Sequence, residues 1–210
     1  MIYIDDQVMD FDLQQALAEV SAQRREQALR YRHERDQRLS VAAYRLLHHA
    51  LQAEYGIDQP PILVYGANGK PMLADRPDIH FSLSHCHEAA ACVLNDRPIG
   101  IDIETLDHYS EEVAACVMSD EEMRRIAAAQ APAKEFTRLW TMKESLYKLT
   151  GDDHHGDIAH MLDDTAQVRF ITREYPGLWS ACAVTYMPMA LTRDSNSSRS
   201  PRAPFLILAR

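Results

Sequence analysis

Three short apolar runs, Ile79–Leu83, Ala89–Leu94 and Ile99–Ile103, follow one another with only short polar breaks, the last being Asn95-Asp96-Arg97-Pro98. Runs of this length bounded by turn residues predict adjacent, antiparallel strands. The flanks are helical. Leu39, Ala42, Ala43, Leu46, Leu47, Ala50 and Leu51 recur at i, i+3, i+4, i+7, predicting an amphipathic helix over about residues 37–55, stopped by Gly56. Phe136, Leu139, Trp140, Leu146, Tyr147 and Leu149 predict another over about residues 134–150, closed by Gly151. Ser119-Asp120-Glu121-Glu122 is a capping-box sequence that opens a helix between them. A short strand is expected at Ile62–Tyr65, within a Pro- and Gly-rich stretch, and a final strand pair at Val168–Thr172 and Leu178–Tyr186.

A helix packed against a few strands thus occurs twice, which makes the chain α+β without any letter-by-letter repeat. The expected division is an N-terminal half, residues 1–104, ending in the strand that holds Asp102 and Glu104, and a C-terminal half, residues 105–192. Residues 193–210 are expected to be a disordered tail, since Arg193 to Pro204 is Ser, Arg and Pro with little to bury; the last six are apolar enough to dock.

With 22 Lys plus Arg against 31 Asp plus Glu the formal charge is −9, which argues against a surface that tracks nucleic-acid phosphates. The charge is uneven. Seven arginines against three acids lie between Ser21 and Arg45, whereas fifteen acids against six bases lie between Gly100 and Asp164. The first stretch suits anions and the second suits cations. No apolar run reaches the ~18 residues of a spanning helix, and the start lacks a basic leader, so neither membrane insertion nor secretion is expected. Four cysteines without a Cys-x-x-Cys pair predict free thiols and a cytoplasmic location.

In Ile99-Gly100-Ile101-Asp102-Ile103-Glu104 the isoleucines alternate with Gly100, Asp102 and Glu104, so both carboxylates leave one face of a strand. Two such acids are either solvated or share a cation, and hard oxygen ligands suit Mg²⁺ better than zinc. In Trp140-Thr141-Met142-Lys143-Glu144-Ser145-Leu146-Tyr147-Lys148, Glu144 and Lys148 share a helix face with Trp140. They form either a surface ion pair or, respectively, a third metal carboxylate and a phosphate contact. Lys143 points away and is expected to be solvent-exposed. Ser84-His85-Cys86-His87 ends a strand. Adjacent strand residues face opposite ways, so a nucleophile dyad or a zinc site is weakly supported, and a phosphate clamp from Ser84 and His85 is preferred. The other histidine clusters, His48-His49 and His154-His155 with His160, are expected on exposed helix and loop positions. Gly69-Lys70-Pro71 presents a lysine on a constrained turn.

The order of these motifs is more specific than any one of them. An Arg-rich helix, Gly-Lys-Pro, Phe-Ser-Leu-Ser-His, Gly-Ile-Asp-Ile-Glu and Trp-Thr-Met-Lys-Glu-Ser-Leu-Tyr-Lys together resemble the 4′-phosphopantetheinyl transferases of the larger single-chain type, from about Ser21 to Gly151. The resemblance implies two similar α+β halves related by a pseudo-twofold, with coenzyme A in the cleft between them. It implies Asp102, Glu104 and Glu144 as Mg²⁺ ligands, with Lys148 on the pyrophosphate. Ser84 and His85 match phosphate contacts, Arg24 and Ser40 match contacts to the nucleotide end, and Lys70 matches an adenine-side contact. Gln27 stands where many relatives have a second basic residue, which would share the grip on the 3′-phosphate with Arg25 or Arg30.

The implied reaction moves phosphopantetheine from coenzyme A to a serine of an apo acyl or peptidyl carrier protein, in fatty acid, polyketide or nonribosomal peptide biosynthesis, releasing adenosine 3′,5′-bisphosphate. The enzyme would act as a monomer, without nucleic-acid or membrane partners. Glu144 is the candidate base, directly or through a metal-bound water. No enzyme nucleophile is then needed, so Cys86 and Ser84 drop out of that role. Two rivals use the same residues. One is a Mg²⁺-dependent phosphodiesterase or nuclease, although Asp102-Ile103-Glu104-Thr105-Leu106 lacks the lysine such enzymes place two residues after a ligand. The other is an inactive relative that binds coenzyme A or a carrier, although all three carboxylates are present.

Overall fold

The computed structural model describes residues 1–151, 157–175, 179–187 and the backbone of 207–209. In chain order these form β1 (Ile2–Asp5), α1 (Leu13–Glu19), α2 (Ala22–Leu29), α3 (Glu34–Tyr55), β2 (Leu63–Tyr65), β3 (Pro71–Leu73), β4 (His80–His85), β5 (Ala90–Asn95) and β6 (Ile99–Thr105). There follow α4 (Glu111–Val117), α5 (Asp120–Ala128), α6 (Pro132–Thr150), β7 (Val168–Tyr175), β8 (Trp179–Tyr186) and β9 (Ile207–Ala209). The α+β class is as the patterning predicts.

Local chemistry places the helix ends. Side chains of Asp12, Ser21, Ser110 and Ser119 accept from backbone N–H groups in the first turns of α1, α2, α4 and α5, and Ser119 with Glu122 completes the capping box. Both long helices stop at a left-handed glycine, Gly56 at φ 66° and Gly151 at φ 69°.

The first sheet runs β4-β5-β1-β9 and the second runs β6-β8-β7. Period-two alternation divides the first sheet's faces. Tyr3, Phe81, Cys92 and Leu94 join Tyr44, Leu47 and Leu51 of α3 in one core. Ile2, Ile4, Ala91 and Val93 turn the other way, onto Ile99, Ile101 and Ile103 of β6 and Ala181 and Ala183 of β8. Because the isoleucines of β6 are spent in that core, Gly100, Asp102 and Glu104 face α6. The missing Gly100 side chain is required there: a Cβ would lie 2.0 Å from the Ser145 carbonyl oxygen and 2.7 Å from the Leu149 nitrogen. The helix backbone therefore rests directly on the strand.

Three expectations change. β6 does not extend the β4–β5 ladder; it pairs along its whole length with β8, from Ile99 opposite Thr185 to Thr105 opposite Trp179. The strand of Asp102 and Glu104 therefore opens the second sheet. Lys143 is fully buried, not exposed, because α5 and the 158–161 segment cover its side of α6. Its ammonium sits 2.8 Å from Glu122 Oε2 and donates to the carbonyls of Ile158 and Ala159 at 2.8 and 2.7 Å. In the tail, residues 207–209 pair in parallel with Ile2–Ile4, so the expected disorder does not hold for those three; residues 193–206 lie outside the described residues. The elements that patterning missed are short: β1, β3, α1, α2, α4 and β9.

Candidate active site

Three elements meet over Asp102. Its Oδ1 accepts from Ser84 Oγ of β4 at 2.8 Å and from Lys148 Nζ of α6 at 2.6 Å, while Lys148 also donates to Ser84 Oγ at 2.9 Å. One residue earlier, Ile101 N donates to Ser82 Oγ at 3.1 Å, which stitches β6 to the edge strand β4. Asp102 is only 5% exposed, so a solvated strand acid is excluded. Glu104 lies two residues on; its Oε1 accepts from Thr105 N at 2.8 Å and faces His108 Nδ1 at 3.5 Å. Glu144 stands one helical turn before Lys148 on the same face. Burial pushes its carboxyl above the usual glutamate value, the charge of Asp102 adds to this, and Lys148 opposes it.

These groups line one end of a cleft of about 520 Å³. The other end belongs to α2 and α3. Arg24 is 9% exposed, its Nη1 donates to Ser40 Oγ at 3.2 Å, and its guanidinium lies over the Tyr44 ring, 5.1 Å from the centroid. Its buried Nε has no hydrogen-bond partner among the described residues. A buried arginine that lines a cleft suits an anion. His85 lines the same cleft. Desolvation and then the Lys148 ammonium hold its imidazole below the usual histidine value.

Asp102, Glu104 and Glu144 line one cleft and offer only hard oxygens, which suits Mg²⁺ better than zinc. As they stand, no three ligating side chains among the described residues converge closely enough to hold a metal ion, and the cation at Asp102 is Lys148. The donors fit in kind, and Lys148 holds Asp102 Oδ1.

A family model for the 4′-phosphopantetheinyl transferase superfamily matches residues 98–189, the span that holds the three carboxylates and Lys148. A 4′-phosphopantetheinyl transferase of Bacillus subtilis is 31% identical over 154 residues, covering 71% of this chain and 68% of that protein. The chain belongs to the 4′-phosphopantetheinyl transferase superfamily. It is an enzyme of that class, of the larger single-chain type. Shorter matches include the transferase AcpT of Salmonella typhi, 34% identical over 98 residues (43% of this chain, 50% of that protein). Another is enterobactin synthase component D of Salmonella austin, 31% identical over 94 residues (41% and 40%).

The transferase brings Arg24, Ser40, Ser84, His85, Asp102, Glu104, Glu144 and Lys148 into one cleft. Lys70 is not among the lining residues. Its ammonium donates to the carbonyls of Lys148, Ile99 and Leu149, and only the neighbouring Pro71 reaches the cleft wall. Arg25 and Arg30 do not help Arg24 either. Arg25 binds the carbonyls of Leu17 and Ala18, and Arg30 pairs with Glu26 in solvent. Gln27 itself lines the cleft with Tyr31 and Tyr65, whose hydroxyl donates to Gln27 Oε1 at 3.0 Å. Sequence reasoning missed both tyrosines, which lie in a turn and on a short strand with no periodicity to mark them. Burial pushes the Cys86 thiol up to about 11, which removes it as a nucleophile. Of the other histidines, His48 contacts the Asp58 carbonyl and His160 pairs with Asp163, whereas His154 and His155 lie outside the described residues. No helix among the described residues is long and apolar enough to cross a membrane.

Proposed function

We propose that the enzyme transfers the 4′-phosphopantetheine group from coenzyme A to a serine hydroxyl of an apo carrier protein, with Mg²⁺, and releases adenosine 3′,5′-bisphosphate. The observation that carries this reading is a single cleft with a buried, donor-rich arginine at one end and three carboxylates with a lysine at the other. A phosphorylated nucleotide fits the first end and its pyrophosphate fits the second.

Arg24 and Ser40 hold the nucleotide's phosphate, and Ser84, His85 and Lys148 hold the pyrophosphate oxygens. Asp102, Glu104 and Glu144 would ligate Mg²⁺, which supplies charge neutralisation at the pyrophosphate when bound. Lys148 adds a positive charge beside the leaving phosphate. The carrier serine Oγ attacks the phosphorus that bears pantetheine. The bond from that phosphorus to the bridging oxygen breaks, and its electrons leave with adenosine 3′,5′-bisphosphate. The serine proton passes to Glu144 directly or, since a carboxylate bound to Mg²⁺ is a weak base, through a water.

The test is incubation with coenzyme A, Mg²⁺ and a panel of apo acyl and peptidyl carrier proteins, read by intact-protein mass. The expected result is a phosphopantetheine increment on at least one carrier, abolished by Asp102→Ala in a folded variant. Coenzyme A binding with no increment on any carrier would leave only a binding protein. Cleavage of coenzyme A without a carrier would make it a phosphodiesterase.

A further inference from the structure

The end of α6 is held by an ammonium from another part of the chain. A helix leaves its last carbonyls without intrahelical donors, and a cation near that end is favoured by the helix dipole. In α6 the Tyr147 carbonyl is taken by Gly151 N at 2.7 Å. The next two, of Lys148 and Leu149, receive Lys70 Nζ at 2.6 and 3.3 Å, and the same ammonium donates to the Ile99 carbonyl of β6 at 3.1 Å.

The turn that delivers Lys70 is shaped for this contact. Gly69 sits at φ 76°, Gly66 N donates to the Lys70 carbonyl at 3.0 Å, and Lys70 N donates to Asn68 Oδ1 at 3.2 Å. Asn68 in turn packs on Gly151, where a Cβ would lie 1.7 Å from Asn68 Nδ2. The 66–70 turn and the end of α6 are interlocked.

An ammonium has three protons, and three carbonyls use all of them. We infer that Lys70 is a positioning residue for Lys148, clamping the backbone from which Lys148 reaches Asp102 and tying it to the strand that carries Asp102, and that it does not contact the nucleotide. One ammonium thereby sets the distance between a helix residue and a strand residue that act together. The inference rests on the proposed role of Lys148 in holding the pyrophosphate.

A double-mutant cycle on the full chain tests it, using Lys70→Met, Lys148→Met and both together. The readout is the dissociation constant of coenzyme A in the presence of Mg²⁺, measured by calorimetry, with thermal unfolding recorded alongside. Each single substitution is expected to weaken binding, Lys148→Met by about tenfold, the scale of one lost charge-assisted hydrogen bond. Adding Lys70→Met to Lys148→Met should cause no further loss, and Lys70→Arg, which keeps a cation over the carbonyls, should recover most of the binding. Additive losses would make Lys70 a direct ligand contact and overturn the inference. A fall in unfolding temperature with unchanged binding would make it a scaffold residue only, which also overturns it. Wild-type binding in Lys148→Met would refute the proposed role of Lys148 and, with it, the clamp.

Discussion

Replacing Lys143 by methionine keeps the length and apolar stem of the side chain and removes its charge and its donors. Lys143 is 0% exposed and Glu122 is 11% exposed, so the pair is screened little by water. Breaking such a buried pair from one side costs about 3–5 kcal/mol, because the remaining charge is stranded. Here Glu122 keeps the Ser119 N–H at 2.8 Å, which places the loss at the lower end, about 3 kcal/mol, including the two orphaned carbonyls of Ile158 and Ala159. For a domain of this size that corresponds to a drop of about 6–12 °C in Tm. Urea unfolding and calorimetry measure it. Combining Lys143→Met with Glu122→Gln should cost less than the sum of the two, since the second substitution removes the stranded charge. A loss under about 1 kcal/mol, or strict additivity, would refute the claim that this ion pair holds α5 and the 158–161 segment against α6.

Gly100→Ala should cost at least about 2 kcal/mol in urea unfolding, because the added Cβ meets the α6 backbone at Ser145 and Leu149 rather than a movable side chain; a neutral variant would mean that α6 does not rest on β6. Thiol titration of the native protein near neutral pH should count one reactive cysteine, the exposed Cys116, with Cys86, Cys92 and Cys182 released on denaturation; labelling of Cys86 would contradict its burial. Glu135 bridges Arg125 and Arg138, and the hydrogen bond from Arg138 holds its carboxyl below the usual glutamate value. Its stabilisation is therefore fully present above that usual value and is lost as the pH falls through the lowered one. Glu135→Gln should cost about 1 kcal/mol at pH 7 and almost nothing near pH 2; a difference that persists into acid would exclude a charge effect.

What the sequence reveals here depends on how far each signal is local. α3 and α6 carry their inward faces and their terminating glycines in their own residues, and α5 carries its capping box. The alternation Ile99, Ile101, Ile103 against Gly100, Asp102, Glu104 was enough to predict one carboxylate face, because side-chain direction on a strand needs no partner. The choice of partner strand was not local: β6 looks continuous with β5 in sequence and pairs instead with β8. Lys143 and Lys70 fail for the same reason. Nothing near residue 143 announces that Glu122 and two carbonyls converge on it, and a lysine on a glycine turn reads as a ligand contact until the end of α6 is found against it. β1 escaped notice because three apolar residues before two aspartates carry too short a pattern, although its neighbours place it inside the first sheet.

The pairing of β6 has a consequence for how the chain reaches this state. Among the described residues its only ladder partner is β8, which emerges after α4, α5, α6 and β7 have been synthesised. Until then the isoleucine face that will meet the first sheet belongs to a strand with no ladder partner, an exposure that favours self-association over folding. Closing so long a loop is slow compared with forming the helices on either side. The register of β6 with β8 fixes the strand that carries two of the carboxylates, so catalytic competence should appear later in refolding than helical signal. A chain stalled before β8 pairs would be helical, sticky and inert.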